Sequence, residues 1–261
     1  MFDFHVHSHV SFDGRADALA IVEAAEKAGL REMCFTDHRD YDPLVDQPAL
    51  AFDLDSYRAA YDHLHSNVVK IRRGMEFGML PDNAQQLKKD AAAYPYDFII
   101  GSVHFADGQD VYYEPYWEGK TLQEAEQLYL ENVLACVRNH EDYHVLGHLT
   151  FISKAWSNPV KRSLPYVEYR EIADEILRTL VAKGKGMEIN TSGRKVSGNY
   201  LPPVEYLHRF KELGGEIVTV GSDAHDASRV GEHCREAAAL VQEIFGHVCT
   251  FAAGKPIFHK F

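Results

Sequence analysis

Histidines and carboxylates recur in this chain where short apolar, β-rich runs come to an end. Seven such runs can be read: FDFHV (2–6), EMCFT (32–36), VVKIRRGMEF (68–77), YDFIIGSV (96–103), YHVLGH (143–148), GMEIN (186–190) and EIVTVGSD (216–223). Six of the seven carry an imidazole or carboxylate at or just past their C-terminal end: His5 and His7, then Asp37 and His38, Glu76, His104, His148, and finally Asp223 and His225. Amphipathic stretches of helical length lie between most of the runs: 16–28, 122–137, 166–182, 202–213 and 228–245. Several are closed by glycine, as at Gly29, Gly214 and Gly246, the residue that best tolerates the left-handed turn after a helix. Strands alternating with helices imply parallel strands and βα units. Seven of them predict an α/β fold, either an open sheet or a closed barrel. In both, the C-terminal strand ends form the edge where sites are built.

The spacing within the clusters suits metal coordination. Residues i and i+2 of a strand face the same way, so His5 and His7 can share an ion while Val6 packs behind them. Asp223 and His225 repeat that spacing. Glu76 offers two oxygens and could bridge two ions, and Asp13 lies in the turn just after the first run. Burying so many ionisable groups without partners would be prohibitively costly. Imidazole and carboxylate together favour Zn, Mn or Fe.

Composition narrows the class. With 27 basic against 39 acidic residues the net charge is −12, which argues against a nucleic-acid or anionic-membrane partner. No apolar run is long enough to span a bilayer, and the N-terminus lacks the pattern of a signal peptide. Cysteines at 34, 136, 234 and 249 form no C-x-x-C pair and read as reduced thiols of a cytoplasmic protein. No linker or repeat divides the chain, so residues 1–261 are expected to form one domain. Three irregular segments, 39–56, 105–120 and 151–165, each follow a strand and are candidates for function. Tyr112, Tyr113, Tyr116 and Trp117 fall in the second, either as a pocket wall or as a hydrophobic seal. His9 is expected near the site, and His259 in a short C-terminal tail.

The motifs HVHSHVSFDG (5–14), FTDH (35–38), GMEFG (74–78), GSVH (101–104), GHL (147–149) and GSDAH (221–225) together resemble the PHP (polymerase and histidinol phosphatase) family. They cover nearly the whole chain. The resemblance implies a distorted, TIM-like (β/α)7 barrel with a trinuclear metal centre at the C-terminal ends of its strands. One ion would be held by His5, His7, Glu76 and Asp223, a second by Glu76, His104 and His148, and a third by Asp13, His38 and His225. Within the family, FDLDSYRAAYDHL, YDFIIGSVHF, YHVLGHL and MEINTSG are most similar to the stand-alone histidinol-phosphate phosphatases. That implies hydrolysis of L-histidinol phosphate by in-line attack of a metal-activated hydroxide. Another small phosphoester, such as a nucleotide, and a non-catalytic metal-binding module are the alternatives. Thr150 departs from the Asp that many members carry there.

Around that centre, Asp37 is expected to orient a ligand histidine, or to be a turn residue. Arg194, Lys154, Lys195 and Ser192 are the candidates for holding the phosphate, Arg194 first because guanidinium binds phosphate oxygens in pairs.

Overall fold

The expected seven strands are present in the computed structural model, which describes residues 1–44 and 50–260. They are β1 (Phe2–Val6), β2 (Glu32–Phe35), β3 (Lys70–Gly78), β4 (Phe98–Ser102), β5 (Val145–Leu146), β6 (Gly186–Asn190) and β7 (Val218–Gly221). All pair in parallel, in chain order. The last edge meets the first just past the end of β7, where His7 N–H donates to Ala224 O and Asp223 N–H to His5 O. The result is a nearly closed seven-stranded barrel, with the C-terminal ends of all the strands at one mouth.

Helices link the strands: α1 (Ala18–Ala28), α2 (Leu54–Tyr61), α3 (Ala84–Ala93), α4 (Leu122–Asn139), α5 (Arg170–Ala182), α6 (Val204–Glu212) and α7 (Cys234–Phe245). Their ends follow local chemistry. Asp17 caps α1 by accepting from Ala20 N–H, and Gly29 closes it in the left-handed conformation. Thr121 and Glu124 form a reciprocal capping box on α4. Among the described residues no helix is long and apolar enough to cross a membrane.

β1 carries one extra residue relative to β2 between Asp3 and Val6. A bulge of this kind re-aims side chains. Phe4 meets Phe98 of β4 across the barrel at 5.6 Å, yet His5, one residue on, also faces inward, toward Glu76 of β3. The floor of the barrel is therefore aromatic and the layer above it is imidazole and carboxylate.

Four elements depart from the sequence reading. Helices α2 and α3 lie in segments not read as helical. Residues 38–40 add a short strand beside β3, inside the stretch 39–56 expected to be irregular; part of that stretch, 45–49, lies outside the described residues. The C-terminus is a hairpin, Val248–Ala252 with Lys255–His259, so His259 is in a paired strand rather than a loose tail. It lies within 2.7 Å of Thr250 Oγ1.

That hairpin covers the barrel floor: Phe251 packs on Phe98 at 4.8 Å and on His144 at 5.0 Å. Phe251→Ala should cost about 3–5 kcal/mol in denaturant unfolding. Burial first, then Lys185, lowers the His144 pKa to about 4. A depressed folded pKa contributes stability that is complete above about 6.5 and is lost as the pH falls toward 4. The decline of melting temperature over that range should be shallower in His144→Gln than in the parent protein.

Candidate metal centre

Glu76, at the end of β3 and fully buried, is the hub. Its Oε2 lies 3.1 Å from His5 Nε2, 3.4 Å from His7 Nε2 and 3.1 Å from His38 Nδ1. Its Oε1 lies 2.8 Å from His148 Nε2 and 3.4 Å from His104 Nε2. Asp223 Oδ1 adds contacts of 3.8 Å to His5 and 3.5 Å to His7. Asp13 reaches His225 Nε2 at 3.1 Å and His38 Nε2 at 3.8 Å. All nine residues anticipated as ligands thus sit in one contiguous cluster. Four sets of three, His5–His7–Asp223, His5–Glu76–His148, His7–His38–His225 and His38–Asp40–His104, each have ligand atoms within 4.8 Å of one another.

The donor set can be tested for fit to metal. Metal–ligand bonds of about 2.0–2.1 Å at tetrahedral angles put neighbouring ligand atoms roughly 3.3–3.4 Å apart, the scale of the contacts above. The Nε2 atoms of His104 and His148 face each other at 3.4 Å, and those of His38 and His225 at 3.5 Å. His5 Nε2, His7 Nε2, Asp13 Oδ1, His38 Nδ1 and Glu76 Oε2 are buried without a hydrogen-bond partner. Converging lone pairs with no donors between them are what a cation site requires. The residues fit divalent ions.

The electrostatics agree. Burial alone would raise the carboxyls of Glu76 and Asp223, but the surrounding histidines, joined at Asp223 by Lys154, hold both well below the usual range. Asp13 is likewise held down, chiefly by His225 and His38 against the effect of burial. Burial opposes charge on His5 and His104 too, yet carboxylates outweigh it and both are raised: Glu188, Glu76 and Asp223 at His5, Asp40 and Glu76 at His104. His7 and His148 are lowered, by burial first and then by neighbouring cations.

A second layer fixes the first. Glu188 of β6 is buried; its Oε1 holds His5 Nδ1 at 2.7 Å, and its Oε2 accepts the backbone N–H of His148 at 2.8 Å. Asp40 Oδ2 holds His104 Nδ1 at 2.7 Å. Sequence reading missed both. Glu188 looks like any residue of a buried strand, and Asp40 falls two residues past His38 in a segment taken for a loop. The glycines of the motifs supply the room: a Cβ at Gly221 would come within 2.2 Å of Glu188 Oε1, and one at Gly78 within 2.3 Å of Asp40 Oδ1. Asp223 itself adopts φ 55°, a left-handed backbone that Asp tolerates better than most residues.

Asp37 touches no metal-type atom. It accepts from the N–H of Ser8 and Ser11, from Ser11 Oγ–H and from Tyr61 O–H. Ser11 Oγ then lies 3.0 Å from His7 Nδ1 and accepts from His38 N–H at 3.0 Å. Asp37 is therefore a buried anchor for the turn that carries Asp13, and lies outside the cleft.

Above the cluster opens a cleft of about 530 Å³. Lys154 and Ser192 line it, bonded to each other at 2.9 Å and both to Asp223 Oδ2. Arg194 and Lys195 do not line it. They are exposed on the short turn after β6, where Arg194 donates to Tyr200 Oη and Lys195 pairs with Glu232. The guanidinium groups of the cleft belong instead to Arg15 and Arg229, which no motif marked. The aromatic cluster divides. Tyr112 and Tyr113 line the cleft, while Tyr116 is buried and the Trp117 indole N–H donates to Val111 O. His9 is exposed and outside the four ligand sets. Thr150 is buried, its hydroxyl unpartnered, and does not reach the cleft.

A parallel barrel with a multi-histidine cluster at its mouth defines a metal-site α/β enzyme fold. The PHP domain model matches residues 3–192, and the chain belongs to the PHP family. It is 33% identical to a histidinol-phosphatase of Lactococcus lactis, with 97% of this chain and 95% of that one aligned. It is 31% identical to a probable histidinol-phosphatase of Clostridium acetobutylicum over 93% of each. The crystal structure of the Lactococcus lactis histidinol phosphate phosphatase, complexed with zinc, L-histidinol and phosphate, superposes with a TM-score of 0.84 at 32% identity over 98% of both chains.

Glu188→Gln should weaken metal binding by about 10- to 100-fold in chelator competition while leaving the fold intact by circular dichroism.

Proposed function

We propose that this chain is a metal-dependent phosphatase that hydrolyses L-histidinol phosphate to L-histidinol and phosphate, a step of histidine biosynthesis. The observation that carries the reading is the cluster of imidazoles and carboxylates around Glu76, with Asp13 joined to it through His225 and His38, at the floor of a cleft that also presents Lys154, Arg15 and Arg229. The similarity to proteins named for this activity, along nearly the full length of the chain, supports the substrate.

In this reading three divalent ions, Zn, Mn or Fe, occupy the cluster. His5, His7, Glu76 and Asp223 would hold the first, Glu76, His104 and His148 the second, and Asp13, His38 and His225 the third. Such ions supply Lewis acidity that makes water a nucleophile near neutral pH and offsets charge on phosphoryl oxygens. The protein does the rest. Lys154 Nζ and Ser192 Oγ, already oriented by Asp223, bind phosphate oxygens at the cluster's edge. Arg15 and Arg229 raise the potential of the same side of the cleft, which is how a chain of net charge −12 attracts a dianion. Glu188, Asp40 and the Asp37–Ser11 pair hold the ligand histidines in place while charge shifts between phosphate and water. Arg194 and Lys195 would act only by leaving their present partners.

The same reading takes residues 1–261 as one domain, with no nucleic-acid partner. The four cysteines are free and buried, which supports a reducing, cytoplasmic setting.

Phosphate release from L-histidinol phosphate, beside a panel of nucleotide and sugar phosphates, tests the assignment. Release that is abolished by a chelator, restored by Mn, Zn or Fe(II), and strongly selective for L-histidinol phosphate is expected. Comparable slow release across the panel would assign a different phosphoester. Lys154→Met should lower kcat/KM by roughly 10- to 100-fold, whereas Arg194→Met should leave it close to the parent value.

A further inference from the structure

Two side chains of the centre, His38 and Asp40, stand on a strand of only three residues. It meets β3 at two pairs, His38 with Glu76 and Arg39 with Phe77. On its other side it pairs antiparallel with Leu50–Ala51, and Phe52 N–H donates to His38 O at 2.9 Å. So few backbone bonds specify register weakly, and a slip of one residue would send every side chain to the opposite face. His38 Nδ1 would leave Glu76 Oε2, which it now meets at 3.1 Å. Asp40 would leave His104, and the guanidinium of Arg39 would turn into the cluster.

The contact that opposes such a slip lies on the other face. Successive residues of a strand point to opposite sides, so Arg39 turns away from the cluster while His38 and Asp40 face it. Arg39 is largely buried against α3 and makes a two-point contact with Asp90, Nη2 to Oδ1 at 2.8 Å and Nε to Oδ2 at 3.3 Å. Its Nη1 donates to Phe52 O at 2.7 Å, and the guanidinium lies over the Phe52 ring, 5.2 Å from its centre. Asp90 is buried and is itself held: Tyr41 O–H donates to Oδ2 at 2.7 Å and Gln86 Nε2 to Oδ1 at 3.0 Å. Neither Arg39 nor Asp90 lines the cleft or belongs to a ligand set. A buried ion pair returns little net stability, because desolvation offsets its attraction. A paired guanidinium–carboxylate contact does fix direction.

We infer that Asp90 is a positioning residue that acts through Arg39. It locks the register of the strand 38–40, and so holds His38 on the third ion and Asp40 on the ring of His104, a ligand of the second. This rests on the three-ion reading. The first ion, on His5, His7, Glu76 and Asp223, takes no ligand from that strand, and its binding is independent of the pair.

The experiment compares the parent protein with Asp90→Asn, which keeps the shape and removes the charge, and with Arg39→Met, which keeps the stem on Phe52 and removes the fork. Each is stripped of metal, checked by circular dichroism and reloaded with Mn. Bound ions are counted by elemental analysis across a chelator series and located by anomalous diffraction. Both variants should fold, hold the first ion with parent affinity and bind the third roughly 10-fold or more weakly, with a smaller loss at the second. Equal weakening at all three positions, or unchanged binding at every one, overturns the inference, while three ions in the parent leave the three-ion reading intact. If Arg39→Met does not fold, Asp90→Asn decides. If neither folds, the pair is a general support of the barrel and the inference falls. A parent protein with no ion on His38 overturns the three-ion reading and the inference together.

Discussion

Glu76 is a carboxylate in the middle of a barrel, fully buried, with five imidazoles within 3.4 Å of its two oxygens. A bare carboxylate in that position would cost far more than the marginal stability of a domain can absorb. It persists because every neighbouring strand delivers a nitrogen toward it. The parallel order of the strands, their common direction and the inward bulge of β1 all serve that convergence. The site is therefore the upper layer of the core, continuous with the aromatic layer of Phe4 and Phe98 beneath it, rather than an addition to a finished fold.

Histidine ligands are useful only if their rings are held, and the cluster recruits its supports from strands that carry few ligands of their own. Glu188 gives β6, which ends in no ligand, its part in the site: one oxygen on a β1 side chain and the other on the backbone after β5. Asp40 does the same for His104 from the segment beside β3. Asp37 works at one remove, through Ser11, on His7 and His38. Ligand preorganisation of this kind keeps the donors in place when the charge on the substrate changes.

Much of this was legible in the sequence, for identifiable reasons. Ligands fall at strand ends, strands announce themselves as short apolar runs, and H-x-H spacing follows from the two-residue period of a strand. The supports were not legible because their role depends on long-range contacts. Glu188 sits 183 positions from His5, and nothing local distinguishes it from a strand residue. Helices α2 and α3 were hidden because they are short and mostly polar, each burying only two side chains, Tyr57 and Tyr61 on α2 and Leu87 and Asp90 on α3. Tyr57 and Tyr61 are buried on α2 for hydrogen bonds to Gly74 O and Asp37 as much as for apolar contact. Arg194 illustrates how the direction of a side chain is not legible from its neighbours in sequence. Its chemistry suited phosphate, but the turn after β6 points it to Tyr200, and the loops after β1 and β7 place Arg15 and Arg229 in the cleft instead.

Taken together, the barrel presents its imidazole and carboxylate layer at the bottom of the cleft, and the loops around the mouth add Lys154, Arg15, Arg229 and aromatic rings to its walls. All of this depends on Glu76 serving as a ligand shared between ions. Anomalous diffraction from crystals of the Mn-loaded protein tests that directly. The account predicts two strong peaks, one at each oxygen of Glu76 and about 3.5–4 Å apart, with a third beside Asp13, His38 and His225. A single peak, or ions that leave the Glu76 carboxylate uncoordinated, would contradict it.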